Sequence, residues 1–410
     1  MFERQPNTLP IREALIRRAR ILARRLFRRA YFAAMAADTK LFQYDRGVRE
    51  RHFVPPIWIE PGTKVCVYAH NDPHGIIDDI VLFQLSELAR YGYKIILVST
   101  SRRLSQDSID KAAPYCLTII LRTGLGRDIR SYRYGFEKIQ NPDNAACILF
   151  MNDSIYGPLY PMDRLIQFCE EGPYDLTGAT ESYEGYRHVQ SYFLHCKNSV
   201  VRSPGFKAFV RSLQAYRLKM YGAYFYEPGW TVALQKMGFK VGALVPYDAV
   251  TELWLRHYET VQAHNDESIR RPDPDRSQIL DVLLSEAEVR QVMGGLVLQK
   301  KLNVAERQVL WRYAGDYAWT IGEAIRIGQP MNPTAYFWSE IIELGFPFIK
   351  AEMLRLNPAF LGDTGSWVQY VHPEYKHVIE KIKSNARRTA MIPLSILPSA
   401  RFPWISPASD

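Results

Sequence analysis

Cysteine is scarce in this 410-residue chain. There are five (Cys66, Cys116, Cys147, Cys169 and Cys196), an odd number with no Cys-x-x-Cys pair. That excludes a dense disulfide framework and implies buried thiols in a reducing compartment. Long apolar runs are missing too: no stretch approaches the roughly 18 to 20 residues that span a bilayer. Arginines interrupt every apolar patch near the N-terminus, so no signal-peptide core is expected there. Neither an internal repeat nor a long low-complexity tract is present. These absences together point to a cytoplasmic location.

Net positive charge is small over most of the chain, although the total is +9. Between Ile11 and Phe32, eight arginines stand against one acid, Glu13, which gives that segment +7 of the total. The body therefore lacks the extended basic surface that a nucleic acid would follow, and no nucleic-acid partner is expected. Hydrophobic residues make up 47% and charged residues 23%, as in soluble globular proteins. The length suits two or three domains.

Pro10 suits the first turn of a helix, and Ile11, Leu15, Leu22, Leu26 and Phe27 recur at helical spacing among the arginines. A basic amphipathic helix of this kind lies in the headgroup layer of an anionic membrane. The same stripe also suits packing on the protein's own body or a disordered arm; a mitochondrial targeting peptide shares the composition, but the segment is poor in serine. Residues 1–50 are read as this helix and its connector.

From Lys64 the pattern is α/β. Apolar strands are expected at 65–68, 94–99, 117–121, 147–151, 175–178, 189–194 and 241–245. Helices are expected around 81–88, 109–113, 131–139, 162–168, 206–218 and 226–237. Such alternation implies a mostly parallel central sheet with right-handed crossovers. The charged stretch 266–278 reads as a linker. Helices follow at 279–302, 307–327 and 335–344, so 51–265 form the α/β domain and 266–410 a mainly helical region.

In open α/β sheets ligands bind beyond the carboxyl ends of the strands. Three expected strand ends carry polar residues: His70 and Asp72, Arg122 and Asp128, and Asn152 and Asp153. All would open on one edge, in one cleft. His70-x-Asp72-x-His74 has a spacing that could bind a metal, but His70 and Asp72 more simply shape the turn before Pro73. Gly124-Leu125-Gly126 is too short for a dinucleotide fingerprint, yet lets a backbone approach a phosphate closely. Asp153 suits a charge, a metal ion or a phosphate, or caps the loop as an Asx-turn. Glu227 stands before Pro228 at a helix start, where the dipole favours a carboxylate. His188 and Gln190 sit at a strand start.

Four blocks resemble the rhamnan synthesis protein F family, bacterial glycosyltransferases of rhamnose-containing cell-surface polysaccharides. They are Tyr68–Pro73 with Gly75–Asp78, Arg122 with Gly126–Asp128, Asn152–Pro158, and His188–Leu194. Asn332–Trp338 and Leu344–Lys350 are similar as well. Thr123-Gly124 and Ile129-Arg130 depart from the family's Glu-Asn and Phe-Gly. The resemblance implies a GT-A-like nucleotide-sugar-binding domain. It also implies a glycosyltransferase, inverting and rhamnose-transferring, with dTDP-rhamnose as donor and a glycan or lipid-linked acceptor at the inner face of the plasma membrane. His70, Asp72, Arg122, Gly126, Asp128, Asn152 and Asp153 would bind the donor, and His188 and Gln190 the acceptor. Asp153 would hold the diphosphate directly or through a divalent cation (Mn or Mg). Glu227 would be the base that deprotonates the acceptor hydroxyl. Two other readings suit the same residues. One is a metal-dependent hydrolase using His70, Asp72, His74, Asp153 and His188. The other is a non-catalytic membrane-surface scaffold.

Overall fold

The computed structural model describes residues 48–123, 126–184, 186–216, 222–264, 330–356 and 365–389, with isolated positions in 30–37 and 321–328. The basic helix, the linker at 266–278 and the helices at 279–302 and most of 307–327 lie outside the described residues.

The strands are β1 (Thr63–His70), β2 (Tyr93–Ser99), β3 (Cys116–Leu121), β4 (Ala145–Asn152), β5 (Ile155–Tyr156), β6 (Leu176–Ser182), β7 (His188–Val189), β8 (Phe193–Lys197), β9 (Val241–Val245) and β10 (Ile349–Lys350). The main sheet has the order β3-β2-β1-β4-β8-β6-β7, with β9 also paired to β6. Strands β3, β2, β1 and β4 are mutually parallel, β8 is antiparallel to β4 and β6, and β9 is parallel to β6. The carboxyl ends of β1, β2, β3, β4, β6 and β9 therefore share one edge, as the mostly parallel sheet expected from the sequence requires.

The strand sequences alternate between two buried faces, which is why they read as continuous apolar runs. Cys66, Tyr68, Ile95, Leu97, Leu149 and Met151 join one core. Val65, Val67, Ile96, Val98, Ile148 and Phe150 join the other. The first face is covered by α1 (Asp79–Arg90) and α4 (Asp163–Glu171), through Val81, Leu85, Leu88 and Leu165. The second is covered by α3 (Arg127–Lys138), α5 (Pro204–Ser212) and α6 (Glu227–Lys236), through Tyr132, Phe136, Phe206, Trp230 and Leu234. Between β2 and β3 lies α2 (Gln106–Ala112), capped by Ser105. Helix α7 (Tyr247–His264) follows β9.

The chain returns to the domain in α8 (Pro333–Tyr336), α9 (Trp338–Glu343), β10, α10 (Ala351–Leu356) and α11 (His377–Thr389). Strand β10 pairs antiparallel with β5, Ile349 opposite Tyr156 and Lys350 opposite Ile155. A third apolar cluster, with Ile80, Tyr156, Trp338, Trp367, Val378 and Ile382, seals this return against α1. Buried Gln84 ties the layers: it accepts from Tyr68 Oη at 2.5 Å and donates to the Ile155 carbonyl at 2.7 Å.

Four sequence expectations are corrected. The run 189–194 is two strands, because Gln190–Tyr192 leave the sheet and place their polar atoms inward. Helix α3 begins at Arg127, four residues earlier than expected, since Gly126 takes the left-handed conformation before it. Helix α5 stops at Ser212, where Leu213 turns extended and its carbonyl accepts from Arg133 at 3.0 Å. The helix expected at 335–344 breaks at Phe337, whose ring is fully buried in the core.

Candidate active site

The shared sheet edge gathers the blocks singled out in the sequence. At the end of β4, Asn152 is 4% exposed and uses both ends of its amide. Nδ2 donates to Asp128 Oδ2 at 2.7 Å, while Oδ1 accepts from the Ser154 amide at 3.1 Å and from the Ser154 hydroxyl. Asp128 Oδ1 accepts from the Ile129 amide at 3.0 Å. Burial pushes the Asp128 carboxyl above its ordinary value; the Ile129 amide offsets this, and the charge of Glu227 adds to it.

Asp153 turns the other way. Its Oδ2 accepts from the Asn71 amide at 2.7 Å, which joins the ends of β4 and β1. Its Oδ1 accepts no hydrogen bond among the described residues. Burial raises its carboxyl, while His70, the Asn71 amide and Arg355 pull it back. His70 is 3% exposed and its Nδ1 lies 3.0 Å from Ser99 Oγ. Burial lowers its pKa, and the charge of Asp153 offsets this in part.

Asp72 is engaged in its own turn. Oδ1 accepts from the His74 and Ile76 amides at 2.8 and 3.2 Å, and Oδ2 meets Arg388 of α11 at 2.7 Å. Burial works against ionisation, but the Arg388 guanidinium and the Ile76 amide hold this carboxyl below its ordinary value. His74 is exposed. Of the two readings of His70-x-Asp72-x-His74, these bonds describe the turn. Among the described residues no group of three or more His, Cys, Asp or Glu side chains gathers to hold a metal, so the hydrolase reading lacks its constellation there.

Arg122 is fully enclosed beneath the loop that follows β3. Its guanidinium donates to Ser131 Oγ at 2.9 and 3.1 Å and to the Arg127 carbonyl at 2.5 Å, and burial pushes its pKa down to about 10. Through these bonds it supports the start of α3. Gly126 (φ +88°) stands so close to Ala215 and Arg130 that a Cβ would lie 2.7 Å from the Ala215 Cα. Arg127 (φ +45°) follows in the same left-handed region, and the pair of turns delivers Asp128 to Asn152.

Glu227 opens α6 and its Oε1 accepts from the Ser191 amide at 2.8 Å and the Ser191 hydroxyl at 3.2 Å. Its Oε2 accepts none among the described residues. Gln190 is bonded into the β6–β7 hairpin through Thr180 Oγ1 at 2.6 Å, and His188 Nδ1 lies 2.6 Å from the Tyr186 carbonyl. Asp128, Asn152, Asp153, His70 and Glu227 are thus brought together. Arg122, Asp72, His188 and Gln190 shape the surrounding loops.

Two groups escaped the sequence reading. Lys350 Nζ donates to Ser154 Oγ at 2.7 Å and sits 4.1 Å from the centre of the Tyr192 ring. It lies in a family-like block, but only the pairing of β10 with β5 carries it to the site. Glu184 is raised to about 7, by burial first and then by the charge of Glu227, with Asn332 offsetting. It sits in an ordinary-looking Gly/Tyr/Glu loop, and no local spacing marks it.

The family model described as rhamnan synthesis protein F matches residues 95–271. The uncharacterized protein y4gN of Sinorhizobium fredii is 28% identical over 198 residues, 47% of this chain and 50% of that protein, so the chain spans about half the length of this curated relative. Among solved structures, the mannosyltransferase PcManGT of Pyrobaculum calidifontis, in complex with GDP-Man and Mn2+, is similar at 10% identity. That similarity covers 72% of this chain and 97% of the other, with a TM-score of 0.30, too loose a likeness to transfer a residue. Over residues 95–271 the chain matches the rhamnan synthesis protein F family, and the blocks holding Asp128, Asn152, Asp153 and His188 all lie within that match.

Proposed function

We propose that this chain is an inverting glycosyltransferase of GT-A type that moves a sugar, rhamnose, from a nucleotide sugar to a growing cell-envelope glycan or its lipid-linked precursor. One observation carries the reading. The strand-end blocks, up to 82 residues apart in sequence, are hydrogen-bonded to one another at one sheet edge, through Asn152 to Asp128 and Asp153 to Asn71. That edge is where α/β sheets bind nucleotides. The family match supports the chemistry.

In this account Glu227 takes the proton of an acceptor hydroxyl through Oε2, while Ser191 fixes Oε1 and so orients the carboxylate. The acceptor oxygen bonds to the anomeric carbon as the bond from that carbon to the diphosphate oxygen breaks. The electron pair leaves with the nucleoside diphosphate. Asp153 offers one uncommitted hard oxygen and Asp128 none. That donor set fits a cation such as Mg2+, which keeps most of its shell in phosphate oxygens and water. Bound there, it would neutralise the departing diphosphate. The described residues that would hold it are Asp153 alone, with no protein cage around it.

Residues 1–50 are assigned to an anionic membrane surface at the cytoplasmic face. The arginine-rich segment supports this, and so does the strap after it. Val54, Ile57 and Ile59 are buried, whereas Phe53 and Trp58 are 86% and 73% exposed, the pattern of an interfacial anchor.

A thermal-shift screen of nucleoside diphosphates and nucleotide sugars, with and without Mn2+, tests the function. Stabilisation by dTDP and dTDP-rhamnose supports it. No shift with any nucleotide leaves the scaffold reading in its place.

A further inference from the structure

Every acid at this sheet edge has a fixed neighbour, but a diphosphate arriving there brings more negative charge to Asp128, Asp153 and Glu227. In the α/β domain Arg122 is enclosed, and exposed Arg127 acts on Asp128 from the start of α3. The C-terminal return supplies a further positive charge. Strand β10 pairs with β5, and the Ala351 amide donates to the Ser154 carbonyl at 2.9 Å, so 349–351 are stitched to the residues that follow Asp153. This register fixes where Lys350 emerges.

Its ammonium then lies between the two halves of the site. On one side it donates to Ser154 Oγ at 2.7 Å. Ser154 in turn bonds Asn152, and Asn152 bonds Asp128 at 2.7 Å. On the other side it rests 4.1 Å from the Tyr192 ring centre. Tyr192 adjoins Ser191, which holds Glu227 at 2.8 Å. A partly buried ammonium against an aromatic face is a stronger electrostatic partner than one in water. Its charge also acts on Asp128.

We infer that Lys350 contacts and neutralises the diphosphate of the donor. It stands between the Asn-Asp-Ser block and the Ser191–Glu227 pair, where the bond to the leaving group breaks. This rests on the glycosyltransferase reading above. The preorganised cation stabilises charge that develops as the diphosphate departs, an effect larger in the transition state than in the ground state. Because Lys350 comes from the C-terminal return, the donor site is complete only when that segment is docked.

The test compares wild type, Lys350→Met and Lys350→Arg for binding of dTDP, GDP, UDP and the matching nucleosides by calorimetry. For the diphosphate that binds wild type, Lys350→Met should lose at least about tenfold in affinity, with Lys350→Arg recovering most of it, since a charge-assisted contact to phosphate is strong. Nucleoside affinity should stay unchanged. A second measurement needs no variant: in the wild-type protein the diphosphate should shield Lys350 from amine acetylation, read by mass spectrometry, while the nucleoside should not. If a diphosphate binds wild type but Lys350→Met binds it equally, or if Lys350 acetylates at the same rate with it bound, the inference is overturned and the glycosyltransferase reading stands. If wild type binds no diphosphate at all, both fall.

Discussion

The amide of Asn152 donates to the carboxylate of Asp128 at 2.7 Å, across 24 residues and from one sheet strand to the start of a helix. Asn152 is 4% exposed and accepts at its other end from Ser154. This one side chain therefore couples two of the family-like blocks. Asn152→Leu keeps the size, removes the donor and leaves the half-buried Asp128 carboxylate without it. Stability should fall by about 1 to 3 kcal/mol, and nucleotide-sugar binding should be lost in the folded fraction. Urea denaturation and calorimetry measure the two effects. Wild-type values for both would mean the bond is incidental.

Gly126 offers a test of the loop itself. At φ +88°, a Cβ there would press on the Ala215 Cα and the Arg130 Cβ. Gly62 has a similar φ of +83° and open space around it. Gly126→Ala should cost roughly 2 to 4 kcal/mol, the sum of backbone strain and overpacking, and Gly62→Ala only about 1 kcal/mol. Equal costs in thermal denaturation would show that the close approach of the two chain segments is not real.

Glu184 gives a dependence on pH. Its folded-state carboxyl is raised from the ordinary 4.5 to about 7, chiefly by burial, so the folded protein holds this proton more tightly than the unfolded chain. The contribution to stability is then present below about pH 4.5 and is lost as pH rises through 7. Glu184→Gln cannot lose a proton and should remove this part of the dependence. Relative to the Gln variant, wild type should lose about 1 to 3 kcal/mol between pH 4.5 and pH 8, with solvent screening setting the lower figure. Parallel stability curves for the two proteins would rule it out.

The parts of the fold legible in the sequence are those governed by short-range pattern. Strands β1 to β4 and β9 read correctly because Val, Ile and Leu runs buried on both faces look the same in any order. Since successive strands alternate with helices, the common edge for His70, Asn152 and Asp153 followed. Breaks caused by single buried residues were not legible. Phe337 interrupts a helical pattern because its ring fits the core, and Gln190 to Tyr192 leave the strand pattern to bond Thr180 and Glu227. Long-range partners were equally hidden. Asp72 looked like a ligand because nothing nearby revealed Arg388, 316 residues later, and Lys350 acquires its place only through β10.

The membrane assignment predicts that deleting residues 1–32 releases the protein from anionic vesicles while nucleotide binding is kept. In the full chain, Phe53→Ser with Trp58→Ser should weaken vesicle binding without changing the melting temperature by more than about 1 °C, as expected for two exposed side chains. Flotation with phosphatidylserine vesicles is the measurement. Unchanged flotation of both variants would remove the membrane contact from the account.

The most direct test of the central claim is the rate of sugar transfer by Glu227→Gln. Glu227 is held by Ser191 and is the only acid of the stretch 185–247, with Glu184 just before that stretch and within reach of its charge. A positioned base contributes on the order of 10²- to 10⁴-fold to deprotonating a hydroxyl. Single-turnover transfer from the bound donor should therefore fall at least about a hundredfold, with donor affinity unchanged. A Gln variant that keeps its turnover and loses donor binding would contradict the account, placing Glu227 on the donor and leaving the base elsewhere.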